Sequence, residues 1–529
     1  MASVVLSGFS GTGKTTVGPL VASRLGLPFL DTDTEIERRC QISIAELWRS
    51  RGESSLRRVE EALVRELFAD GIDRVVAFGG GTLTNRALRH MVLDRAMLVT
   101  LTARPDVIVA RVGDAQERPA LTGPDPLARV VSLLEQRASV YAECHLSLAT
   151  DGQSPEDVAA RVTAAARQVR VAVALGRRTY SVRVVEDAPH ALTEALSALA
   201  PSSLVVVSDS HVRATRGTAL GSAIRPLGVP LTHVWLEPGE ESKSLASVQT
   251  IWRAAIDDHV DRQSVVLGFG GGVVGDLAGF AASTLLRGLR VVQAPTTLLA
   301  MVDASVGGKT GFNLAAGKNL IGSFHQPAAV VADVAHLATL PLRDLVAGLA
   351  EVAKVALVCD ESLWLELEAS AERLRDRDPP ALTAAIRRAI AIKARVVRDD
   401  EREGGIRQLL NLGHTMGHAL EAAGGYSRYR HGEAVALGLV AEVRAAERLD
   451  VATPGLAVRV QTLLARLGLP TDVSGDDLAA AWPLVAQDKK RVGADVALPL
   501  VRYPGDARLV SVPLQTLARV LGIDQTGIG

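Results

Sequence analysis

Gly8-Phe-Ser-Gly-Thr-Gly13-Lys14-Thr15 follows the apolar run at residues 3–7 and precedes a helix-forming stretch from about Lys14 to Leu25. A glycine-rich turn between a buried strand and a helix lets backbone N–H groups face a phosphate. The lysine neutralises the β/γ charge, the threonine hydroxyl serves Mg²⁺, and the helix N-terminus adds its positive dipole end. The loop glycines, Lys14 and Thr15 are therefore expected to hold a nucleotide phosphate with Mg²⁺. Working outward, short apolar runs at 74–79 and 97–101 alternate with helical stretches at 55–69 and 126–142. Strands alternating with helices predict a parallel α/β sheet. Ser154-Pro-Glu-Asp carries an N-cap with acids in the first turn, so a helix is expected from there to about Val169.

The pattern restarts after that helix. Arg170–Ala174 and Tyr180–Val185 read as strands joined by a turn at Gly176, with further strands at 204–207, 233–236 and 265–269. From Pro341 the text turns mostly helical. The expected architecture is α/β throughout: a P-loop parallel-sheet domain over 1–168, a Rossmann-like α/β domain over 169–340 and a mostly helical domain over 341–529.

Bulk composition excludes several classes. The 529 residues are 48% hydrophobic and 22% charged, which is globular. Fifty-eight basic residues against 59 acidic ones leave a formal charge of −1, so no global field favours nucleic acid or an anionic membrane. Small-molecule substrates are the expected partners. Three cysteines without paired spacing argue against a disulfide framework and fit a reducing cytoplasm. The N-terminus lacks a basic leader, and Asp276, Arg287 and Asp303 break the most apolar stretches short of the ~20 residues a membrane span needs.

In the first domain, three clusters describe the phosphoryl acceptor. Asp31-Thr-Asp33 ends a strand, where Mg²⁺ and a hydroxyl are held; Arg57 follows Gly52-Glu53; Gly79-Gly80-Gly81 lets backbone approach a small ligand. With Arg118 and Arg137 further on, the set points to a carboxylate-bearing polyol, because guanidinium pairs bidentately with carboxylate. Another small-molecule P-loop kinase, such as a gluconate kinase, remains an alternative on residues alone.

The second half combines three ingredients. Val265–Gly275 (VVLGFGGGVVG) with Asp276 is a glycine loop after a buried strand, suited to a dinucleotide, though it comes late in the domain for an ordinary Rossmann dehydrogenase. Glu351, His414, His418 and His431 form a metal-type set, and the four-residue spacing of His414 and His418 nominates those two as the pair. Lys309, Lys318, Asn319, Lys354, Lys393, Arg407, Asn411 and Lys489 supply cations and amides for phosphate and carboxylate. A metal- and NAD-dependent polyol dehydrogenase is the nearest rival. It has no need of so many phosphate-type cations. One half serving only as a non-catalytic module is the other alternative.

The motifs GxxGxGKT, DTD, GExxLR, GGG, ERP and RxxxYxE together resemble shikimate kinase over essentially all of residues 1–168. That resemblance implies Mg²⁺-ATP on Gly11, Gly13, Lys14, Thr15 and Thr16, and shikimate on Asp33, Arg57, Gly80 and Arg137. It makes Asp33 the base for the accepting hydroxyl and puts Arg118 over the nucleotide from a lid at about 112–124. Leu56 stands where the family often has phenylalanine. GGGVxGDxxGF, GGKT, GKNxIGxFxQP, GxAEVxK, NxGHTxGHAxE and HGExVAxG resemble 3-dehydroquinate synthase over about 169–529. This second resemblance carries Zn²⁺ or Co²⁺ onto Glu351, His414 and His431, and turns His418 into a substrate-phosphate contact in place of the spacing argument. It carries NAD⁺ onto Asp209, Glu240, Lys243, Gly271, Gly272, Asp276, Thr296, Thr297 and Thr339. Substrate falls to Asp303, Lys309, Lys318, Asn319, Lys354, Lys393, Arg407, Asn411 and Lys489, with Glu403 as a further active-site acid. The implied chemistry is a redox-neutral conversion of 3-deoxy-D-arabino-heptulosonate 7-phosphate (DAHP) to 3-dehydroquinate, with the substrate's phosphate lost by β-elimination. The family's usual homodimer is the expected assembly.

Overall fold

The computed structural model describes residues 3–112, 125–315, 317–485, 491–492 and 495–523. The chain divides into two compact units, Met1–Ser181 and Val182–Gly529. Among the described residues no helix is long and apolar enough to cross a membrane.

The first unit opens with β1 (Val4–Ser7), α1 (Lys14–Leu25), β2 (Phe29–Asp31), α2 (Thr32–Cys40), α3 (Ile44–Arg51) and α4 (Glu53–Ala69). It continues through β3 (Val75–Ala77), α5 (Arg86–Arg95), β4 (Met97–Thr102), α6 (Pro105–Val112), α7 (Pro126–Gln136), α8 (Ala138–Ala142), β5 (Leu146–Ala149), α9 (Pro155–Ala166) and β6 (Val169–Val173). The sheet is parallel in the order β2-β3-β1-β4-β5. All four residues of β1 are buried, as a parallel strand covered on both faces requires. One apolar layer packs α1 and α9 on the sheet through Val17, Val21, Val158 and Val162. The other packs α4 and α5 through Leu56, Leu63, Val64, Leu88 and Val92. The helix expected over 126–142 is broken at Arg137, whose backbone (φ −99°, ψ 6°) leaves the α region between α7 and α8.

The second unit runs β7 (Tyr180–Val185), α10 (Pro189–Ser197), β8 (Leu204–Asp209), α11 (Ser210–Ile224), β9 (Leu231–Leu236), α12 (Leu245–Asp257), β10 (Val265–Gly270), α13 (Gly272–Thr284) and β11 (Arg290–Pro295). A hairpin of β12 (Lys309–Leu314) and β13 (Gly317–Phe324) precedes β14 (Ala329–Asp333). Parallel pairing gives the order β7-β14-β11-β10-β8-β9. α10 and α11 cover one face, and α12 and α13 the other. Between β8 and β10 the winding reverses, so the loops after Asp209 and Gly270 diverge and leave a crevice at the carboxyl ends of the strands.

Helices follow: α14 (Leu342–Cys359), α15 (Glu361–Arg375), α16 (Pro379–Asp399), α17 (His414–Ala423), α18 (His431–Arg448), α19 (Leu456–Arg466) and α20 (Gly475–Val485). The chain ends with β15 (Arg491–Val492), β16 (Asp495–Tyr503), β17 (Asp506–Pro513) and α21 (Leu514–Leu521). The antiparallel β15-β16-β17 sheet and the β12–β13 hairpin add strands that the sequence reading did not contain. α14 is the axis of the helical half: every residue from Leu345 to Val358 is buried. A helix apolar on all sides belongs in a core, so the Glu351 and Lys354 that it carries must find partners there.

Two candidate active sites

In the first unit the P-loop folds back on its own lysine. Gly8, Gly11 and Gly13 have φ of 133°, 81° and 94°, left-handed values that favour glycine. Lys14 Nζ donates to the carbonyls of Gly8 and Phe9, both at 2.9 Å. Thr15 Oγ1 donates to Asp31 Oδ2 at 2.8 Å, and Asp31 Oδ1 accepts from the Asp33 amide at 3.0 Å. Hydroxyl and carboxylate thus lie together where Mg²⁺ would sit, a donor set of the hard-oxygen kind that ion takes.

One cavity of about 1130 Å³ is lined by Gly11, Gly13, Lys14, Thr15, Thr16, Asp33, Arg57, Gly80 and Arg137, so the sequence-nominated residues of this unit converge, apart from Arg118. Arg118 lies outside the described residues. Arg57 is held by Glu60 at 2.6 Å and Glu53 at 2.9 Å, and its guanidinium presses on Gly81, where a Cβ would come within 2.1 Å of Nη2. A Cβ on Gly79 would meet Asp33 Oδ1 at 2.6 Å, so the glycine triplet is spent on close approach of these two side chains. Two residues without an assigned role hold the lining in place. Tyr141 donates its hydroxyl to the Gly80 carbonyl at 2.6 Å, beside Arg137 Nη1 at 3.3 Å. Buried Glu60 also accepts from Thr82 Oγ1 at 2.7 Å. Leu56, the departure from the usual family residue, is buried and lines the same cavity.

In the second unit, Gly271 caps the N-terminus of α13 at the end of β10. A Cβ on Gly271 would meet Thr297 at 3.2 Å, and one on Gly272 would meet Ala304 at 3.4 Å, so the loop leaves a narrow cradle. Thr296 donates its amide to the Gly270 carbonyl at 2.9 Å. Asp276, one turn into α13, pairs with buried Lys243 at 2.5 Å; burial pushes the Asp276 carboxyl up, and Lys243 opposes it. Glu240 accepts from Asn313 at 2.7 Å. Asp209 caps α11 by accepting the Val212 amide at 2.8 Å, and Thr339 accepts from Arg216 of the same helix at 3.0 Å. Glycine cradle, helix N-terminus and flanking carboxylates fit a dinucleotide.

The helical half holds a compact imidazole–carboxylate centre. Donor atoms of His414, His418 and His431 lie within 4.8 Å of one another. Glu351 Oε1 is 3.6 Å from Nε2 of both His414 and His431. The Glu351 carboxylate is wholly buried and ion-paired to Lys354, yet no donor is aligned on either oxygen. A buried carboxylate facing imidazoles without an aligned donor fits a divalent cation. The spacing pair and the family triad are therefore parts of one cluster, with His418 about 5.2 Å ring to ring from His414 and 5.8 Å from His431.

Glycines make that meeting possible. A Cβ on Gly432 would lie 1.9 Å from the Ala347 carbonyl, so α18 starts against the α14 backbone and delivers His431 opposite Glu351. A Cβ on Gly438 would lie 2.0 Å from the Gly413 carbonyl, which brings α17 equally close. Glu433 fixes the start of α18, accepting the Arg430 amide at 2.9 Å and two Arg343 bonds at 2.6 Å. Buried Glu442 accepts the amides of Gly413 at 2.7 Å and Met416 at 3.2 Å, and so sets the start of α17 at His414. The sequence signal for Glu442 is a lone acid in an otherwise apolar helical run.

Around the centre most cations are paired in advance. Lys393 binds Asp303 through side chain and carbonyl, Lys309 pairs with Glu403, and Lys318 lies 3.1 Å from Glu421. Burial lowers the Lys393 ammonium to about 8, against the pull of Asp303. Asp303 is held below the usual carboxylate range: burial opposes this, but Lys393 and Lys354 prevail. Glu403 accepts from Asn411 at 2.7 Å and has φ 61°, a left-handed backbone for a non-glycine residue. Buried Arg407 donates to the carbonyls of Gly307 (3.3 Å) and Glu401 (2.5 Å). Asn319, also left-handed at φ 53°, donates its amide to Asn313 Oδ1 at 2.9 Å. Lys489 lies outside the described residues.

Fold and sites define a P-loop phosphotransferase for a small acidic acceptor, joined in one chain to an α/β–helical enzyme shaped for a dinucleotide and a divalent cation. Family models match in the same order: shikimate kinase over residues 10–167, the N-terminal part of 3-dehydroquinate synthase over 233–347 and its C-terminal part over 348–491. The 3-dehydroquinate synthase of Gloeobacter violaceus is 44% identical over 356 residues, covering 67% of this chain and 98% of the relative. That of Caulobacter vibrioides is 42% identical over 346 residues, 64% of this chain and 93% of the relative. The chain belongs to the 3-dehydroquinate synthase family, with a shikimate kinase domain ahead of the synthase. Among solved structures, 2-epi-5-epi-valiolone synthase from Streptomyces hygroscopicus subsp. jinggangensis, with NAD⁺ and Zn²⁺ bound, matches at 31% identity and TM-score 0.59, covering 65% of this chain and 95% of that one.

Proposed function

We propose that the first unit transfers the γ-phosphoryl group of Mg²⁺-ATP to shikimate, and that the second converts DAHP to 3-dehydroquinate with release of phosphate. The observation that carries the reading is that each unit joins its family match to a convergent set of side chains. Lys14, Asp33, Arg57 and Arg137 line one cavity, and the Glu351–His414–His431 centre ion-pairs to Lys354.

In the kinase, Lys14 exchanges the Gly8 and Phe9 carbonyls for the β/γ-phosphates. Asp33 orients the accepting hydroxyl and takes its proton, while Arg57 and Arg137 hold the shikimate carboxylate. Arg118 is assigned to the nucleotide. In the synthase, Asp209, Glu240, Lys243, Gly271, Gly272, Asp276, Thr296, Thr297 and Thr339 are assigned to NAD⁺, and Glu351, His414 and His431 to Zn²⁺ or Co²⁺. When bound, the dinucleotide supplies reversible hydride acceptance and the metal polarises neighbouring hydroxyls. Lys309, Lys354, Lys393, Arg407, Asn411 and His418 orient the substrate and stabilise its departing phosphate; Asp303, Lys318, Asn319, Glu403 and Lys489 complete the pocket. Pre-pairing of Lys309, Lys354 and Lys393 with carboxylates, and of Arg407 with backbone carbonyls, keeps these cations in place before substrate arrives, so little reorganisation is needed when the anion displaces a partner. We further take the protein to act in the cytoplasm, as a homodimer through its synthase part, on small molecules rather than nucleic acid or membrane; three unpaired cysteines support the compartment.

The test is a two-substrate assay on the full chain. Shikimate should be phosphorylated with Mg²⁺-ATP in preference to gluconate. DAHP should release phosphate without net NADH, stop with chelator and resume with Zn²⁺ or Co²⁺. Stoichiometric NADH would instead establish a polyol dehydrogenase.

A further inference from the structure

Glu421 is a buried acid in the last turns of α17, and it has two different partners. Its Oε2 lies 3.1 Å from His431 Nδ1, and its Oε1 lies 3.1 Å from Lys318 Nζ. The other nitrogen of His431, Nε2, faces Glu351 Oε1 at 3.6 Å. A carboxylate only accepts, so a proton on Nδ1 satisfies this contact and leaves the Nε2 lone pair directed at the Glu351–His414 centre. On the other side, the turn after α17 closes back through the Tyr426 amide, which donates to the Glu421 carbonyl at 2.8 Å. That turn puts the Tyr426 ring 4.6 Å from Lys318 Nζ. Lys318, on the β12–β13 hairpin, is thus held between a carboxylate and an aromatic face supplied by one helix end.

We propose that Glu421 is a positioning residue of the synthase site, which fixes the tautomer and direction of His431 and, through its second oxygen, the place of Lys318. One carboxylate thereby ties the metal-type centre to a cation on a separate element. The inference rests on the reading of Glu351, His414 and His431 as a divalent-metal site, and the experiment separates the two. Zn²⁺ affinity is measured on the full chain by competition with a chromogenic chelator, for the natural sequence, Glu421→Gln, Glu421→Ala and Lys318→Met. KM and kcat for DAHP are then taken at saturating Zn²⁺, and thermal melts of the metal-free chains report folding.

Both Glu421 variants should bind Zn²⁺ about 10–100-fold more weakly, the usual effect of losing a carboxylate behind a ligating histidine. Both should also raise KM at saturating metal. Lys318→Met should raise KM alone and leave Zn²⁺ affinity unchanged. If the natural sequence binds no Zn²⁺ tightly, the metal-site reading itself fails. If it binds Zn²⁺ and a folded Glu421→Gln matches it within twofold in affinity and KM, the bridge is refuted. An equal loss of Zn²⁺ affinity in Lys318→Met would also refute it. Should Glu421→Ala melt early, the isosteric Gln variant decides.

Discussion

The two phosphate-handling sites of this chain are built from opposite materials. The kinase draws on a short stretch of backbone: three left-handed glycines, a helix N-terminus and one lysine lie within residues 8–15. The synthase gathers side chains from the β12–β13 hairpin, α14, α16, α17 and α18, and settles several cations against carboxylates. A backbone site is cheap to encode and stiff, because each glycine is specified by local φ. A side-chain site needs close-packed helices and ion pairs that survive burial, so it depends on residues that carry no ligand-type atom into it but set the helices in place, such as Gly432, Gly438 and Glu442.

The largest expected effects test whether the sites are independent. Lys14→Ala should lower ATP-dependent shikimate phosphorylation roughly 10³-fold, by analogy with loss of one strong transition-state donor, and leave phosphate release from DAHP within twofold. His431→Ala should do the reverse. A folded variant that loses both activities breaks the comparison.

Stability should divide in the same way. Gly432→Ala forces a methyl against the Ala347 carbonyl; overpacking of this kind costs about 3 kcal/mol, and it should lower the melting of the synthase unit only. Gly13→Ala, at φ 94°, should cost about 1–2 kcal/mol through left-handed strain and appear in the kinase unit. Calorimetry of the full chain distinguishes the two.

A third prediction is a pH dependence peculiar to the buried-cation site. Burial holds Lys393 at about 8, so DAHP binding should weaken as pH rises through 8 and this ammonium is lost. The native pKa lies below that of the unfolded chain, so the unfolded state binds more protons between the two values. The Lys393 contribution to stability therefore rises with pH across that window and is least favourable below it. A KM for DAHP that stays flat from pH 7 to 9.5 would remove Lys393 from the binding set. The smallest effect is Tyr141→Phe, which deletes the bond to the Gly80 carbonyl. A loss of about 1 kcal/mol, read as a several-fold higher KM for shikimate with kcat little changed, is expected.

Much of the fold was legible. The P-loop strand and helix and most strands through 270 appear with boundaries shifted by a residue or two, whereas the capped helix at Ser154 stops at Ala166, three residues short of the expected Val169, where β6 begins. The missed strands have reasons. Lys309–Phe324 is rich in glycine and lysine and lacks a clean period-two pattern, because its residues serve the site. β16 and β17 form a hairpin about Pro504-Gly505, with Gly505 at φ 89°, so their turn signal is local and only the side that packs on the helices is non-local. The metal-type centre was legible as a set of residue types. Periodicity alone could not choose among its histidines, because helix spacing reports which side chains share a face and not what that face meets.

What the sequence by itself determined is the order of the two units, the backbone phosphate loop and the set of candidate residues, since these rest on local backbone freedom and residue type. What only the tertiary structure decided is how those residues are aimed. Glu421 between His431 and Lys318, Glu442 beneath the start of α17, and Tyr141 on Gly80 owe their roles to contacts between segments distant in the chain. The close approach of α18 to α14 that allows the centre to form is settled by packing, where a single methyl group at Gly432 would be too much.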